Sequence, residues 1–155
     1  MIAAVNGAAY AGGFELMLAA DLVVAARSAR VGDGHARHGI VPGWGSSARL
    51  PRIVGARAAS ELLLTGGDLS AEQALALGLV NAVADDDALV AAVDLLVERL
   101  TVPDAATTAR ILALTRATRD ADGTLAADLA REWSALAEHV TAPAFAATVE
   151  RFLGR

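Results

Sequence analysis

The chain contains no cysteine and no lysine among its 155 residues. The lack of cysteine excludes disulfide frameworks, thiolate nucleophiles and cysteine-ligated zinc sites. All 13 basic side chains are arginine, against 18 Asp plus Glu, which gives a formal net charge of −5. An acidic chain of this kind lacks the basic patches by which proteins bind nucleic acids, so we expect no nucleic-acid partner.

Long hydrophobic runs are also missing. Glu15, Asp21 and Asp94 interrupt the longest apolar stretches before they reach the roughly 18 residues that a membrane span needs. Residues 1–14 are uncharged, but they lack the basic region of a signal peptide. We therefore expect a cytoplasmic protein without a membrane segment.

Apolar residues are abundant, at 55% of the chain, which at this length predicts one buried core. Ile2–Val5 and Leu22–Ala26 are short apolar runs of the kind that form buried strands. Residues 14–20 are predicted to form a helix between them. Residues 29–45 are rich in glycine and proline and are predicted to form a long loop, which in a compact domain is usually functional.

Downstream of this loop the patterns predict mainly helices. Ser70 and Gln73 have the spacing of a capping box, and Gly78 is placed to end the helix that they begin. The predicted elements are a helix from Ser46 or Ser47 to Val54, a helix at 56–64, the capped helix, a strand at 79–83 and helices from residue 85 onward. The chain thus divides into a mixed α/β part, 1–84, and a helical part, 85–155.

Gly12 and Gly13 precede a glutamate at the predicted start of the first helix. Free N–H groups at a helix start, with no side chain in front of them, suit an oxygen that gains negative charge. Glu15 lies among apolar neighbours, and a desolvated carboxylate favours general acid/base use. In the simpler interpretation, which this motif alone favours, Glu15 only complements the helix dipole and the glycines only allow close packing.

The predicted loop holds two further groups of interest. His35 and His38 have a spacing that some metal sites use, but no third and fourth ligand are evident nearby, so we expect no metal. Pro42 and Gly43 begin a glycine-rich stretch that enters a helix and could bind an anion. The stretch lacks the Gly-Lys-Ser/Thr of a phosphate-binding loop.

Together these motifs resemble the crotonase family, also called the enoyl-CoA hydratase/isomerase superfamily. The resemblance covers nearly the whole chain, in order and with little gapping. The matching strings are Ile2-Ala3-Ala4-Val5-Asn6-Gly7, Ala11-Gly12-Gly13-Phe14-Glu15-Leu16, Ala20-Asp21-Leu22-Val23-Val24-Ala25, Gly39-Ile40-Val41-Pro42-Gly43, Arg49-Leu50-Pro51-Arg52-Ile53-Val54-Gly55, Glu61-Leu62-Leu63-Leu64-Thr65-Gly66 and Ala74-Leu75-Ala76-Leu77-Gly78-Leu79-Val80-Asn81.

The resemblance implies an α/β fold with a spiral ββα core, C-terminal helices that form a homotrimer or hexamer, and an acyl-CoA thioester as substrate. It also implies an oxyanion hole of two backbone N–H groups, in which Gly12 matches the second donor. Glu15 matches the first catalytic glutamate of the hydratases, and Gly13, Pro42 and Gly43 fall in the substrate-binding segments. Arg155 matches a closing basic residue that reaches the CoA of a neighbouring subunit. Coenzyme A is part of the substrate, so no separate cofactor is expected.

Two departures from the family pattern bear on activity. His35 stands where the hydratases place a second glutamate, four residues before Gly39. Imidazole can transfer a proton near neutral pH, but it does not reproduce the acceptor geometry of a carboxylate. Met1 matches the beginning of the family's central strand, so the upstream strands, the first oxyanion donor and most of the CoA-binding loop are expected to be absent.

Three hypotheses follow from these observations. The first is an acyl-CoA enzyme in which Glu15 or His35 acts as the base. The second is a catalytically impaired, truncated homologue that serves as an oligomerisation or binding module. The third is an unrelated α/β binding domain.

Overall fold

A computed structural model of the chain describes residues 1–102, 105–120, 124–141, 149–150 and 153–154. Single turns of 3-10 helix lie at His35–His38 and Asp86–Ala88. The strands of the described residues are β1 (Ile2–Val5), β2 (Ala8–Tyr10), β3 (Leu22–Ala26), β4 (Arg30–Gly32), β5 (Leu69–Ser70) and β6 (Ala82–Ala84). The helices are α1 (Gly12–Ala19), α2 (Ser46–Val54), α3 (Ala56–Thr65), α4 (Ala71–Ala76), α5 (Leu89–Leu100), α6 (Ala105–Asp120) and α7 (Thr124–Thr141).

The strands form two three-stranded sheets. In the first sheet, β1, β3 and β6 lie side by side in that order and run parallel, with Ile2 opposite Leu22 and Val24 opposite Ala82. In the second sheet, β2 pairs in parallel with β4, and β4 pairs antiparallel with β5. Strands of parallel sheets are usually buried on both faces, which explains the uninterrupted apolar run of β3.

The chain twice adds one strand to the first sheet and then one strand to the second sheet. It passes through β1 in the first sheet and β2 in the second sheet before it forms α1. It then passes through β3 and β4 before it forms the 3-10 turn at His35–His38. This repeat of two strands and a helical segment is the ββα order that the resemblance implied. The repeat brings the starts of α1 and of the 3-10 turn to the ends of two neighbouring strands, β2 and β4.

One hydrophobic core joins the first sheet to the helices around it. Phe14 of α1, Leu50 of α2 and Val24 of β3 are fully buried in it. Leu89 of α5 is buried in this core and Val93 and Leu96 pack against it, whereas Val97 is exposed. No helix in the described ranges is both long enough and apolar enough to cross a membrane.

Several predicted elements agree with the structure, and others need correction. β1 and β3 lie where the apolar runs predict them. The first helix begins at Gly12 rather than at residue 14, because both glycines belong to its first turn. The loop predicted at 29–45 contains β4 and the 3-10 turn. The strand predicted at 79–83 lies at Ala82–Ala84 instead.

The turn after α4 explains the displaced strand. Gly78 has a φ of 71°, its N–H donates to Leu75 O at 3.0 Å, and Leu79 N–H donates to Ala74 O at 2.8 Å. This is the hydrogen-bond pattern of a Schellman motif, so Leu79 closes the helix rather than beginning a strand. The capping box at the other end of α4 is confirmed, since Ser70 and Gln73 each accept a hydrogen bond from the backbone N–H of the other.

Candidate functional site

The start of α1 presents backbone N–H groups in an unusual backbone setting. Ala11, the residue before the helix, has φ 48° and ψ −120°, a conformation that non-glycine residues rarely adopt and that costs about 1–3 kcal/mol. The N–H of Ala11 donates to Asp33 O at 3.0 Å, which fastens this residue to the end of β4. In the described part of the chain, no acceptor is bonded to the N–H of Gly12 or Gly13. Two helix-start donors therefore remain available to an oxygen.

Trp44 lies directly over Gly12. A Cβ atom at Gly12 would come within 2.9 Å of Cζ3 of the Trp44 ring, so the absence of a side chain at residue 12 lets the ring lie there. A Cβ atom at Gly13 would meet nothing within 4 Å. The Trp44 side chain is itself largely solvent-exposed, with 63% of the residue accessible. The ring thus flanks the open helix start on one side, while the Gly13 side stays open.

Glu15 is buried, with 3% of its surface exposed, and it is hydrogen-bonded to a different helix from its own. Its Oε1 atom accepts the backbone N–H of Trp44 at 2.8 Å and that of Ser46 at 3.3 Å. These N–H groups belong to the start of α2, so the carboxylate complements the dipole of α2. The second carboxylate oxygen, Oε2, has no hydrogen-bond partner among the residues that the structure describes. The side chain is therefore fixed in orientation while one oxygen stays available.

His35 is paired with a buried aspartate two residues before it. Asp33 is 1% exposed, and its Oδ1 atom lies 3.0 Å from Nδ1 of the His35 ring. The other oxygen, Oδ2, accepts the backbone N–H of His35 at 3.2 Å. Burial disfavours the charged carboxylate, but hydrogen bonds from His35 and Ser46 and charge attraction from His35 outweigh it and hold the pKa of Asp33 below its ordinary value. Asp33 is thus an ionised partner for the imidazole at neutral pH.

The segment around Gly43 packs against the last described helix. A Cβ atom at Gly43 would come within 2.0 Å of Cδ2 of Leu136 in α7, so the Leu136 side chain would have to move to accommodate any larger residue. Arg49 Nη1 donates to the carbonyl oxygen of Trp44 at 2.7 Å and holds the loop from the α2 side. Ser46, at the start of α2, is fully buried.

The site therefore brings together part of the predicted set. Gly12 and Glu15 share the first turn of α1, and Asp33 joins His35 to the residue before Gly12. Arg155 lies outside the described residues. Among the residues described, no group of three or more His, Cys, Asp or Glu side chains could hold a metal ion.

The sequence did not indicate the contacts that three residues make at this site, namely Asp33, Trp44 and Ser46. The contact of Asp33 could have been recognised, because an aspartate side chain in a turn often accepts the backbone N–H of the residue two positions later, here His35. Trp44 and Ser46 meet Glu15 only through the fold, at separations of 29 and 31 residues. No local pattern indicates such a contact.

Comparisons with known proteins agree on one family. Residues 1–152 match the sequence model described as enoyl-CoA hydratase/isomerase. A probable peroxisomal enoyl-CoA hydratase 1 of Arabidopsis thaliana is 50% identical over 86 residues, which are 56% of this chain and 32% of that protein.

Solved structures give the same result. An enoyl-CoA hydratase from Mycobacterium avium superposes with a TM-score of 0.83 at 38% identity, over 90% of this chain and 62% of that one. An enoyl-CoA hydratase/isomerase from Pseudoalteromonas atlantica gives a TM-score of 0.87 at 33% identity, over 97% and 60%. The chain thus spans about three-fifths of the length of these solved relatives.

Proposed function

Because this chain belongs to the enoyl-CoA hydratase/isomerase family, with its crotonase-like α/β fold, we propose that it acts on an acyl-CoA thioester. In this proposal the N–H of Gly12 donates to the thioester oxygen, and Glu15 is a general acid/base. The observation that carries the proposal is the pairing of unbonded N–H groups at the α1 start with a buried carboxylate one turn away.

The helix start supports the first part of the proposal on physical grounds. Withdrawal of a proton next to a thioester carbonyl places negative charge on the carbonyl oxygen. Fixed N–H donors stabilise that charge without reorganising, and one donor typically contributes about 3–4 kcal/mol. The positive end of the α1 dipole adds to the effect. The space beside Gly13 is empty, since a Cβ atom there would meet nothing within 4 Å, so the approach to these donors is open.

The held carboxylate supports the second part. Two backbone N–H groups bind one oxygen of Glu15 and fix the direction of the other. A base that is oriented before the substrate arrives loses little entropy when it reacts. His35, which occupies the second-glutamate position of the hydratases, supplies a further proton-transfer group in this proposal.

A second candidate function is a binding or oligomerisation module without turnover. The specific observation in its favour is His35, which stands where the hydratases place a second glutamate and does not reproduce the acceptor geometry of a carboxylate. A homotrimer or hexamer is compatible with both candidates and remains a prediction. The cytoplasmic location also remains a prediction, and one named relative is peroxisomal.

One experiment separates these candidates. The purified chain is assayed for hydration of crotonyl-CoA by the loss of the ultraviolet absorbance of the conjugated double bond, and its thermal midpoint is measured with CoA and crotonyl-CoA. Glu15→Gln is compared with Glu61→Gln, a matched change at an exposed position of α3.

The outcomes distinguish enzyme from module. Turnover that falls at least about a hundredfold in Glu15→Gln, and not in Glu61→Gln, supports the enzyme. Thermal stabilisation by crotonyl-CoA without turnover supports the binding module. If neither ligand stabilises the chain and no turnover occurs, the proposal is wrong for this molecule.

A further inference from the structure

We propose that Asp33 is a positioning residue that fixes the His35 imidazole with its proton on Nδ1, so that Nε2 is the proton-accepting atom. The Asp33 carboxylate makes two contacts with the same neighbouring residue, His35. Oδ1 lies 3.0 Å from the ring Nδ1, and Oδ2 accepts the backbone N–H of the same residue at 3.2 Å. Backbone and ring of His35 are therefore held together.

The tautomer follows from the chemistry of the two partners. A neutral imidazole has one N–H donor and one bare nitrogen acceptor. An ionised carboxylate accepts hydrogen bonds and has none to donate. Asp33 is ionised at neutral pH, as argued above from its lowered pKa. The nitrogen that faces Asp33 must therefore carry the hydrogen, and Nε2 must carry the lone pair.

Burial strengthens this constraint. Asp33 is 1% exposed, and the His35 side chain is 13% exposed. In such a setting, water competes weakly for the hydrogen bond, so the pair is held more firmly than an exposed pair. A change of tautomer would point two lone pairs at each other inside the protein, which is unfavourable.

Asp33 also connects His35 to the start of α1. Its backbone oxygen accepts the N–H of Ala11 at 3.0 Å, and Ala11 directly precedes Gly12. One residue therefore holds the imidazole through its side chain and the helix start through its backbone. This double attachment sets where the ring stands relative to the Gly12 and Gly13 N–H groups, and it is the reason to assign Asp33 a positioning role.

The role in the reaction rests on the proposed function. Nε2 of His35 takes a proton from a carbon of the bound acyl-CoA. The C–H bond breaks, an N–H bond forms, and the electron pair moves onto the thioester oxygen beside Gly12. The resulting imidazolium is stabilised by the Asp33 carboxylate, and it returns the proton to the substrate to complete the transfer.

The competing interpretation is purely structural. A bond from the backbone N–H of His35 to Asp33 is a common turn arrangement, and the ring contact would then be incidental. Asp33→Asn distinguishes the two interpretations. Its amide oxygen can still accept the backbone N–H, while its NH₂ group faces Nδ1 and demands a bare nitrogen there. The turn is kept, and the proton is driven to Nε2.

The test is a nitrogen-15 NMR measurement of the His35 ring at a pH where the ring is neutral, which is reached when a further rise in pH no longer changes the ring nitrogen signals. The signals are assigned by their loss in His35→Gln. We expect a protonated Nδ1 and a bare Nε2 in the unmodified chain, and the opposite tautomer or a mixture in Asp33→Asn. Asp87→Asn, a change at an exposed position, is the control and leaves the signals unchanged.

Several results would overturn the inference. One is a protonated Nε2 in the unmodified chain, a measurement that stands even where Asp33→Asn does not fold. Another is an unchanged tautomer in a folded Asp33→Asn. In chains that exchange the α-protons of a saturated acyl-CoA with deuterated water, kcat for this exchange should fall about a hundredfold or more in Asp33→Asn with little change in KM. Absence of all turnover would contradict the proposed function and leave the tautomer result to decide the role of Asp33.

Discussion

Gly12 and Gly13 are neighbours at the start of α1, but only Gly12 packs closely against another residue. Gly12→Ala would place a methyl group 2.9 Å from the Trp44 ring, whereas Gly13→Ala would meet nothing within 4 Å. We expect Gly12→Ala to push the exposed ring outward, because a ring moves more easily than the helix backbone. Tryptophan fluorescence should then shift to longer wavelength and be quenched more easily by acrylamide. Gly13→Ala, the control, should leave both properties unchanged, and equal effects of the two would contradict the packing described here.

Gly32, at the end of β4, is constrained by backbone rather than by a side chain. A Cβ atom there would come within 2.5 Å of Gly67 O and 2.9 Å of the Asp68 Cα. Since backbone cannot move aside as a side chain can, we expect Gly32→Ala to lower the free energy of unfolding by about 1–3 kcal/mol.

The matched control for Gly32 is Gly7→Ala, at a position where a Cβ would meet nothing within 4 Å. It should change the free energy of unfolding by less than about 1 kcal/mol. Urea denaturation of both variants measures the difference. If the two variants lose the same stability, the close approach of Gly67 to β4 is not a constraint in solution.

Residue identity allowed part of the site to be predicted. The resemblance pointed to Gly12 and Glu15, and the local sequence placed both at a helix start, where the structure has them. The hydrogen-bond partners of Glu15 were not predictable, because Trp44 and Ser46 lie 29 and 31 residues away. The sequence predicts that Glu15 complements the dipole of its own helix, α1. In the structure, the carboxylate instead accepts N–H groups at the start of α2.

At the scale of elements, length decided which strands could be predicted. β1 and β3 are continuous apolar runs of four and five residues, long enough to be distinguished from a loop. β2, β4 and β5 have three, three and two residues, which is too short for any periodicity to show. These short strands exist because a neighbouring strand supplies hydrogen bonds, and sequence alone does not indicate that neighbour.

A salt bridge between distant elements fastens α6 to the first sheet. Arg116 of α6 donates two hydrogen bonds to Asp21, at 2.9 and 2.6 Å, just before β3. These bonds, together with a hydrogen bond from the N-terminal amine of Met1, hold the pKa of the Asp21 carboxyl well below its ordinary value. A carboxyl with a lowered folded-state pKa stabilises the fold above its unfolded-state pKa, near 4, and the stabilisation is lost as the pH falls through the folded-state value.

We therefore expect Asp21→Asn to be less stable than the unmodified chain at pH 7, by about 1 kcal/mol for a partly exposed pair. The difference should shrink as the pH falls below about 4. Thermal unfolding across this pH range measures the difference, and hydrogen exchange should report faster opening of α6 in the variant. Asp94→Asn on the exposed face of α5 is the control. A stability difference that grows at low pH would contradict the argument.

The whole molecule has an open side. In the described part of the chain, β1 is bonded only to β3 and β2 only to β4, so each is an edge strand whose outer side has no strand partner. The two edges follow each other along residues 2–10, beside a groove lined by Ala3, Leu16 and Met17. Unpaired edges of this kind can bond to further strands, including those of other copies.

Self-association along this side should respond to charge. Ala4 of β1 is exposed, and we expect Ala4→Lys to reduce concentration-dependent association, because adding a strand would bury the ammonium group. Dynamic light scattering over a concentration series measures the effect. Ala91→Lys, at an exposed position of α5, adds the same charge elsewhere and serves as the control. Equal reductions in the two variants would show that net charge, rather than the sheet edge, governs association.

The two contacts of Asp33 restrict which insertions and deletions this part of the fold can tolerate. Its carbonyl group binds the residue before Gly12, and its carboxylate binds His35. An insertion or deletion next to residue 33 would shift the imidazole and the helix start together, because both are bonded to Asp33. Mutational libraries that aim to diversify this region should therefore keep residues 33–35 at constant length and vary the solvent-exposed Leu16 instead.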